Sequence, residues 1–174
     1  MAKREIASVD TSFWVHAGMV RAHPELLSEF DVTVTRAVSD ELGVGDRTPS
    51  SVSGQALQLA LLSGTARALD PGGPLIPEFH AGEKAVLSLA TEQMGDLIPL
   101  IDETKAYQWA VKKGLPVMSV PLWLAMRTIR LEEDPMVAVS KIKALVQGRH
   151  ISMLLAHEPL ALLAVHAARM EGRS

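Results

Sequence analysis

Four acidic residues stand where chemistry is usually placed: Asp10 and Asp102 each close a short apolar run, while Glu41 and Glu83 each share a helical face with apolar residues. From Glu83, the apolar Val86, Leu87, Ala90 and Met94 follow at helical spacing, so this carboxylate points toward a packed interior. Glu41 shares a face with Ala37 and Val38, and Asp40 takes its place if the register shifts by one. Carboxylates aimed at the rim of a core raise one another's pKa unless a cation neutralises them. A hard divalent ion, Mg2+ or Mn2+, is the simplest answer, because it takes oxygen ligands and couples carboxylates to a substrate phosphate. Two such ions about 4 Å apart can activate a water and steady the departing oxygen of an in-line displacement at phosphorus. Each acid also has a purely structural reading. Glu83 is favoured by the helix dipole in a first turn, and Asp102 can serve as a helix cap.

The elements that must position these acids are clearest between Gly82 and Val120. Apolar residues from Ala85 to Met94 keep a helical period that Gly95 stops, and Leu97 to Ile101 is a nearly continuous apolar run of the kind a doubly covered parallel strand shows. Glu103 to Lys113 returns to helical composition before Gly114, and Leu115 to Val120 supplies another strand. Upstream, Ile6 to Val9 is a strand, with Thr11 or Ser12 placed to cap a helix from Phe13 to Arg21. Pro24 to Phe30 forms a short helix, Asp31 to Thr35 a strand, and Arg36 to about Gly43 a helix. Thr48-Pro49 reads as the start of a helix that Gly64 ends, apolar on more than one face and therefore deeply packed or an oligomer contact. Ala66 to Leu69 is a short strand, followed by the turn-forming Asp70-Pro71-Gly72-Gly73-Pro74. Beyond Val120 the pattern is helical: Pro121 to Arg130, Asp134-Pro135 to Gln147, and a segment from Ser152 that Pro159 kinks or restarts and that frays after Arg169. Strands alternating with helices specify βαβ units with right-handed crossovers, and ligands in such sheets sit at the carboxyl ends of strands, where Asp10 and Asp102 fall.

With 174 residues, 48% hydrophobic and 21% charged, the chain has the composition of a single globular domain. It contains no cysteine, which rules out disulfides, thiolate catalysis and Cys-ligated zinc and is compatible with a reducing, cytoplasmic setting. The opening residues do not read as a signal peptide, because an acid follows the short apolar run too soon. No membrane span is expected, since the longest apolar stretch, Met153 to Ala168, is interrupted by His157, Glu158 and Pro159. A net charge of -3 exerts no global pull on nucleic acid, so a polyanionic partner must use a local patch or metal ions.

Taken in order, Val9-Asp10-Thr11-Ser12, Val38-Ser39-Asp40-Glu41-Leu42, Gly82-Glu83-Lys84-Ala85 and Leu100-Ile101-Asp102-Glu103-Thr104-Lys105-Ala106, closing on Gly114-Leu115-Pro116-Val117, resemble the ordered motifs of PIN-domain proteins. The likeness is closest to the small prokaryotic branch with a Gly-Glu third motif, and it covers roughly Ile6 to Leu131. The resemblance implies a three-layer α/β/α fold with a parallel sheet of about five strands. It implies a PIN-like domain over residues 1–131 and a helical carboxy-terminal extension over 132–174 packed on the same domain. It further implies a metal-dependent endoribonuclease of the VapC type, the toxin of a toxin–antitoxin pair, acting on RNA, partnered by an antitoxin and forming a homodimer. Asp10, Glu41, Glu83 and Asp102 match the acidic quartet that holds Mg2+ or Mn2+. Ser12 matches a hydroxyl near that site, and Glu103 and Lys105 fall in the fourth motif, with Ser12 and Lys105 as substrate contacts. The chain departs from the pattern at Pro99, inside a strand that should be central, and at Phe13-Trp14, bulky residues beside the first acid that narrow its approach.

The remaining residues carry weaker signals. The six histidines show no paired ligand spacing, and only His80, just before Glu83, stands near a motif. Neither a Gly-x-Ser-x-Gly elbow nor a phosphate loop is present. Lys105, Lys112 and Lys113 share a helix beside Asp102 and read either as phosphate contacts or as a solvated face. Arg127, Arg130, Lys141, Lys143 and Arg149 form a basic run that Glu132, Glu133 and Asp134 interrupt, a candidate RNA track. Trp14, Trp109 and Trp123 lie among aliphatic residues, which favours packing over base stacking. Two other functions compete: a non-catalytic PIN-like module that binds RNA or protein, and a phosphotransferase or phospho-receiver. The last lacks the second Asp two residues after the first, where Ser12 stands, and the paired acids after the first strand.

Overall fold

The computed structural model describes residues 4–45 and 48–172. Met1–Lys3, on which part of the leader reading rests, lie outside the described residues, as do the last two residues of the carboxy-terminal extension. Strands Glu5–Val9 (β1), Phe30–Val34 (β2), Ala66–Ala68 (β3) and Leu97–Leu100 (β4) form one parallel sheet in the order β3-β2-β1-β4. Helices Thr11–Met19 (α1) and His23–Glu29 (α2) link β1 to β2, Arg36–Glu41 (α3) and Val52–Leu62 (α4) link β2 to β3, and Ala81–Glu92 (α5) links β3 to β4. Thr104–Lys112 (α6), Val120–Leu131 (α7), Pro135–Gln147 (α8) and Met153–Glu171 (α9) follow. Three consecutive residues are buried in each of two strands, Ala7-Ser8-Val9 and Val32-Thr33-Val34. Successive strand residues point to opposite faces, so the sheet is covered on both sides.

Chain order reverses between β1 and β4: from β1 the sheet grows one way through β2 and β3, and β4 lies on the other side. This is the topological switch point of an open parallel sheet, where the chains leaving adjacent strands part and open a crevice. Asp10 and Asp102 leave the sheet at that point.

Sequence expectations fail at identifiable places. Instead of a strand over Leu115 to Val120, a single parallel bridge joins Leu100 to Met118, and α7 starts at Val120. Pro99 supplies the reason. Leu100 accepts from Asp10 N on the β1 side at 3.0 Å, so neighbouring Pro99 faces the other way, where its carbonyl accepts from Met118 N at 3.0 Å. The missing N–H is thus spent on the outer edge: pairing with β1 is intact, and the fifth strand shrinks to a bridge. The α1 cap is Asp10 rather than Thr11 or Ser12, the α4 cap is Ser51 rather than Thr48, and the α6 cap is Glu103 rather than Asp102. Gly95 and Gly114 do stop α5 and α6, with φ of 89° and 73°.

At α9 the helix does not restart at Pro159 but runs through it, with Leu155, Ala156, Pro159 and Leu163 as a buried stripe that packs on α7 and α8. Among the described residues no helix is long and apolar enough to cross a membrane. α4 is not deeply packed on every face: Leu57 and Ala60 face the core, while Val52, Leu59 and Leu62 are exposed.

Two members of the basic run in the later chain, Arg127 and Arg130, are tied up in ion pairs. Glu29, at the end of α2, accepts from the buried Trp123 indole at 3.3 Å and pairs with Arg127 and Arg130, and Arg127 also meets Glu133. Glu29→Ala strands a buried N–H, leaves Arg130 without its carboxylate and leaves Arg127 with Glu133 alone. We expect it to cost about 2 kcal/mol, read as a lower urea midpoint with an unchanged slope. An unchanged midpoint would mean that water replaces the carboxylate at no cost.

Candidate active site

Asp10 sits at the end of β1 with no exposed surface. One carboxylate oxygen accepts from Phe13 N at 2.6 Å, capping α1, and the other accepts from the Ser12 hydroxyl at 3.2 Å. Burial drives the Asp10 pKa well above the usual carboxylate range against the pull of the Phe13 N–H, and the negative charges of Asp102 and Glu83 push it further.

Asp102 leaves β4 alongside. Its Oδ1 accepts from Val120 N at the start of α7, at 2.8 Å, and its Oδ2 lies 2.8 Å from His16 Nδ1. Glu83, third residue of α5, reaches back to accept from His80 N at 3.3 Å. Its pKa is raised, first by burial, with Glu103 and Glu41 adding to the effect. Glu41, last residue of α3, is the exposed member. It accepts from Gly82 N at 2.9 Å and from the Thr11 hydroxyl. Asp40 instead turns outward to Arg36.

Glu41 thus meets the chain neighbours of Asp10 and Glu83, and the charges of Asp102 and Glu83 act on Asp10 as that of Glu41 acts on Glu83. Beside them a cavity of about 260 Å³ opens between α5 and α6, lined by Phe79, His80, Glu83, Glu103 and Lys105 among others. Phe13 and Trp14 do not narrow the approach. Both are fully buried, Phe13 against Trp123 and Trp14 stacked on His23 with its indole donating to Ser53 O.

Gly82 is required for close approach. A Cβ there would stand 2.8 Å from Glu41 Oε2 and 3.1 Å from Thr11 Oγ1. Gly82→Ala should leave stability unchanged or slightly raised, since Ala favours a helix by roughly 1 kcal/mol. It should displace Glu41 and lower any metal-dependent activity by about tenfold, the scale of a lost ligand support. A thermal melt beside an activity assay checks both, and full activity in the variant would show that the position of Glu41 is immaterial.

Two groups escape a reading of the sequence. Thr11 holds Glu41, although it reads there only as a cap; His16, which reads as one of six scattered histidines, is buried on Asp102 with its ring 5.9 Å from that of His150. The available signal for His16 is its position four residues after Ser12, on the same face of α1. His80, the histidine nearest a motif, is the N-cap residue of α5.

The donor set is all oxygen, which suits Mg2+ or Mn2+. Asp10 is a buried acid under the negative charge of Asp102 and Glu83, with no Lys or Arg ion pair among the described residues, so the chemistry of the residues fits a divalent ion. Among the described residues no three His, Asp or Glu side chains are gathered in a metal-holding arrangement as they stand.

The chain is thus an open parallel α/β sheet with acids at its switch point. A family model described as a PIN domain matches residues 18–133, well over half of the chain, and the chain belongs to that family. The matched segment contains Glu41, Glu83 and Asp102 and begins after Asp10. No curated protein matches the chain. PIN domains are in general nucleases that act on RNA and use divalent metal ions.

Proposed function

We propose that this chain is a Mg2+- or Mn2+-dependent endoribonuclease, the VapC-type toxin of a toxin–antitoxin pair. The observation that carries the proposal is that Glu41 bonds to the Thr11 hydroxyl and the Gly82 N–H, the chain neighbours of Asp10 and Glu83, while Asp10 and Glu83 are pushed toward the neutral form, first by burial and then by the neighbouring acids. When bound, a divalent ion there supplies an acidified water and neutralises charge on the phosphoryl group. The protein's own part is orientation. Ser12 and the Phe13 N–H fix Asp10, His16 and the Val120 N–H fix Asp102, and Thr11 with the Gly82 N–H fixes Glu41. Ser12 and Lys105 stand beside the acids as substrate contacts. The exposed Val52, Leu59 and Leu62 of α4 support a homodimer or antitoxin surface, and the cysteine-free composition supports a cytoplasmic setting.

Purified protein should cut RNA with Mn2+, stop with EDTA, and lose cutting in Asp10→Asn and Asp102→Asn. Unchanged cutting by both variants would end the proposal. A non-catalytic RNA- or protein-binding module is the second reading. It draws on the His16 contact, which satisfies Asp102 without a metal. Titration with Mn2+ separates the two, because that module should bind no ion at the quartet.

A further inference from the structure

We propose that the face of α6 carrying Lys105, Trp109 and Lys113, with Phe79 beside it, is a track for single-stranded RNA that leads to the acidic cavity. The inference rests on the ribonuclease reading and names how its substrate is held.

Lys105 and Trp109 of α6 and Lys113, the residue that caps it, recur every fourth position, so they form one stripe along the helix and its end. Lys105 Nζ stands 5.5 Å from the centre of the Phe79 ring, and Lys113 Nζ stands 5.5 Å from that of Trp109. The two rings meet edge to face with centroids 5.7 Å apart. The two rings therefore sit side by side with a cation at each end, in a single connected row.

Aromatic rings hold these lysines in place without cancelling their charge. Among the described residues neither Lys105 nor Lys113 makes an ion pair, whereas Arg127 and Arg130 are tied to Glu29. In a protein of net charge -3, a patch that keeps its positive charge beside an acidic site needs a polyanion as its natural partner. Continuity is direct, since Lys105 and Phe79 also line the cavity that holds Glu83 and Glu103.

The aromatic component decides between strand types. Trp109 is half-buried, unlike the enclosed Trp14 and Trp123, so part of its indole faces solvent between two lysines. A row of cations around an available ring is how single strands are held without sequence preference, phosphates on the charges and a base on the ring. A duplex keeps its base faces stacked inside and cannot use such a ring.

The test is fluorescence anisotropy of a labelled oligouridylate with full-length protein in EDTA, so that binding is read without metal or cleavage. The Lys105→Ala/Lys113→Ala double variant should bind at least about tenfold more weakly, and its salt dependence should fall by about 0.7 per lysine lost. Trp109→Phe should retain binding, while Trp109→Ala should weaken it about fivefold or more. Lys143→Ala, on α8, should bind as wild type, and melting curves check that each variant is folded. Wild-type affinity in the double variant, equal loss in Lys143→Ala, or equal binding of duplex and single strand would each overturn the track. Cleavage with Mn2+ is scored separately. Cutting without lysine-dependent binding removes the track and spares the nuclease reading; lysine-dependent binding without cutting does the reverse.

Discussion

Asp10→Asn is expected to abolish RNA cleavage and, in the same preparation, to raise the melting temperature of the metal-free protein. The two effects share one cause. A fully buried carboxylate with Asp102 and Glu83 nearby is costly to keep charged, and its raised pKa expresses that cost. Asn keeps the shape and still accepts from the Phe13 N–H, being as good a helix cap as Asp. Removing the charge should therefore stabilise the fold by about 1 kcal/mol, the ordinary gain from relieving a strained functional site. For a chain of this size that is a rise of roughly 2–4 °C. Activity should fall at least about a hundredfold, since the loss of a mere supporting partner of a metal ligand already costs 10–100-fold. Mn2+ at a hundred times its dissociation constant should stabilise wild type by about 2.7 kcal/mol and leave the variant unmoved. A variant that melts lower, or that responds to Mn2+ as wild type does, would contradict this account of Asp10.

The second large effect is a pair of opposite pH dependences. Asp10 and Glu83 both hold their protons more tightly in the folded chain than in the unfolded one, principally because they are buried. Between the unfolded and folded pKa values the native state carries the extra protons, so the stability of the metal-free protein falls as pH rises through that window. A divalent ion must displace the same protons, so its apparent affinity climbs with pH, by about tenfold per unit for each proton displaced. Melting curves between about pH 5 and pH 8 should therefore show a metal-free midpoint that drifts down and an Mn2+-induced shift that grows. An Mn2+ shift independent of pH would mean that the ion sits away from these carboxyls.

Much of this was legible in the residues because local chemistry set it. Alternating strands and helices, the glycine stops at Gly95 and Gly114, and acids at the ends of two apolar runs depend on residues close in the chain. The choice of Glu41 over Asp40 lies at the edge of that reach. Only the way α3 ends against α5 decides it, by turning Glu41 onto Thr11 and the Gly82 N–H while Asp40 faces Arg36.

What the amino-acid order determined by itself was the βαβ grammar and the family to which it belongs, since periodicity and short motifs are written along the chain. What only the tertiary structure decided was partnership. It joined His16 to Asp102 across 86 residues, bound Arg130 to Glu29 across 101, and set Lys105 over Phe79 to continue the row to Trp109. Such pairings depend on which strands become neighbours and which helix faces meet, and the switch point between β1 and β4 fixes that for the acids. A side chain's type gives what it can bind; its neighbours in space, brought there by burial of the apolar faces, give what it does bind.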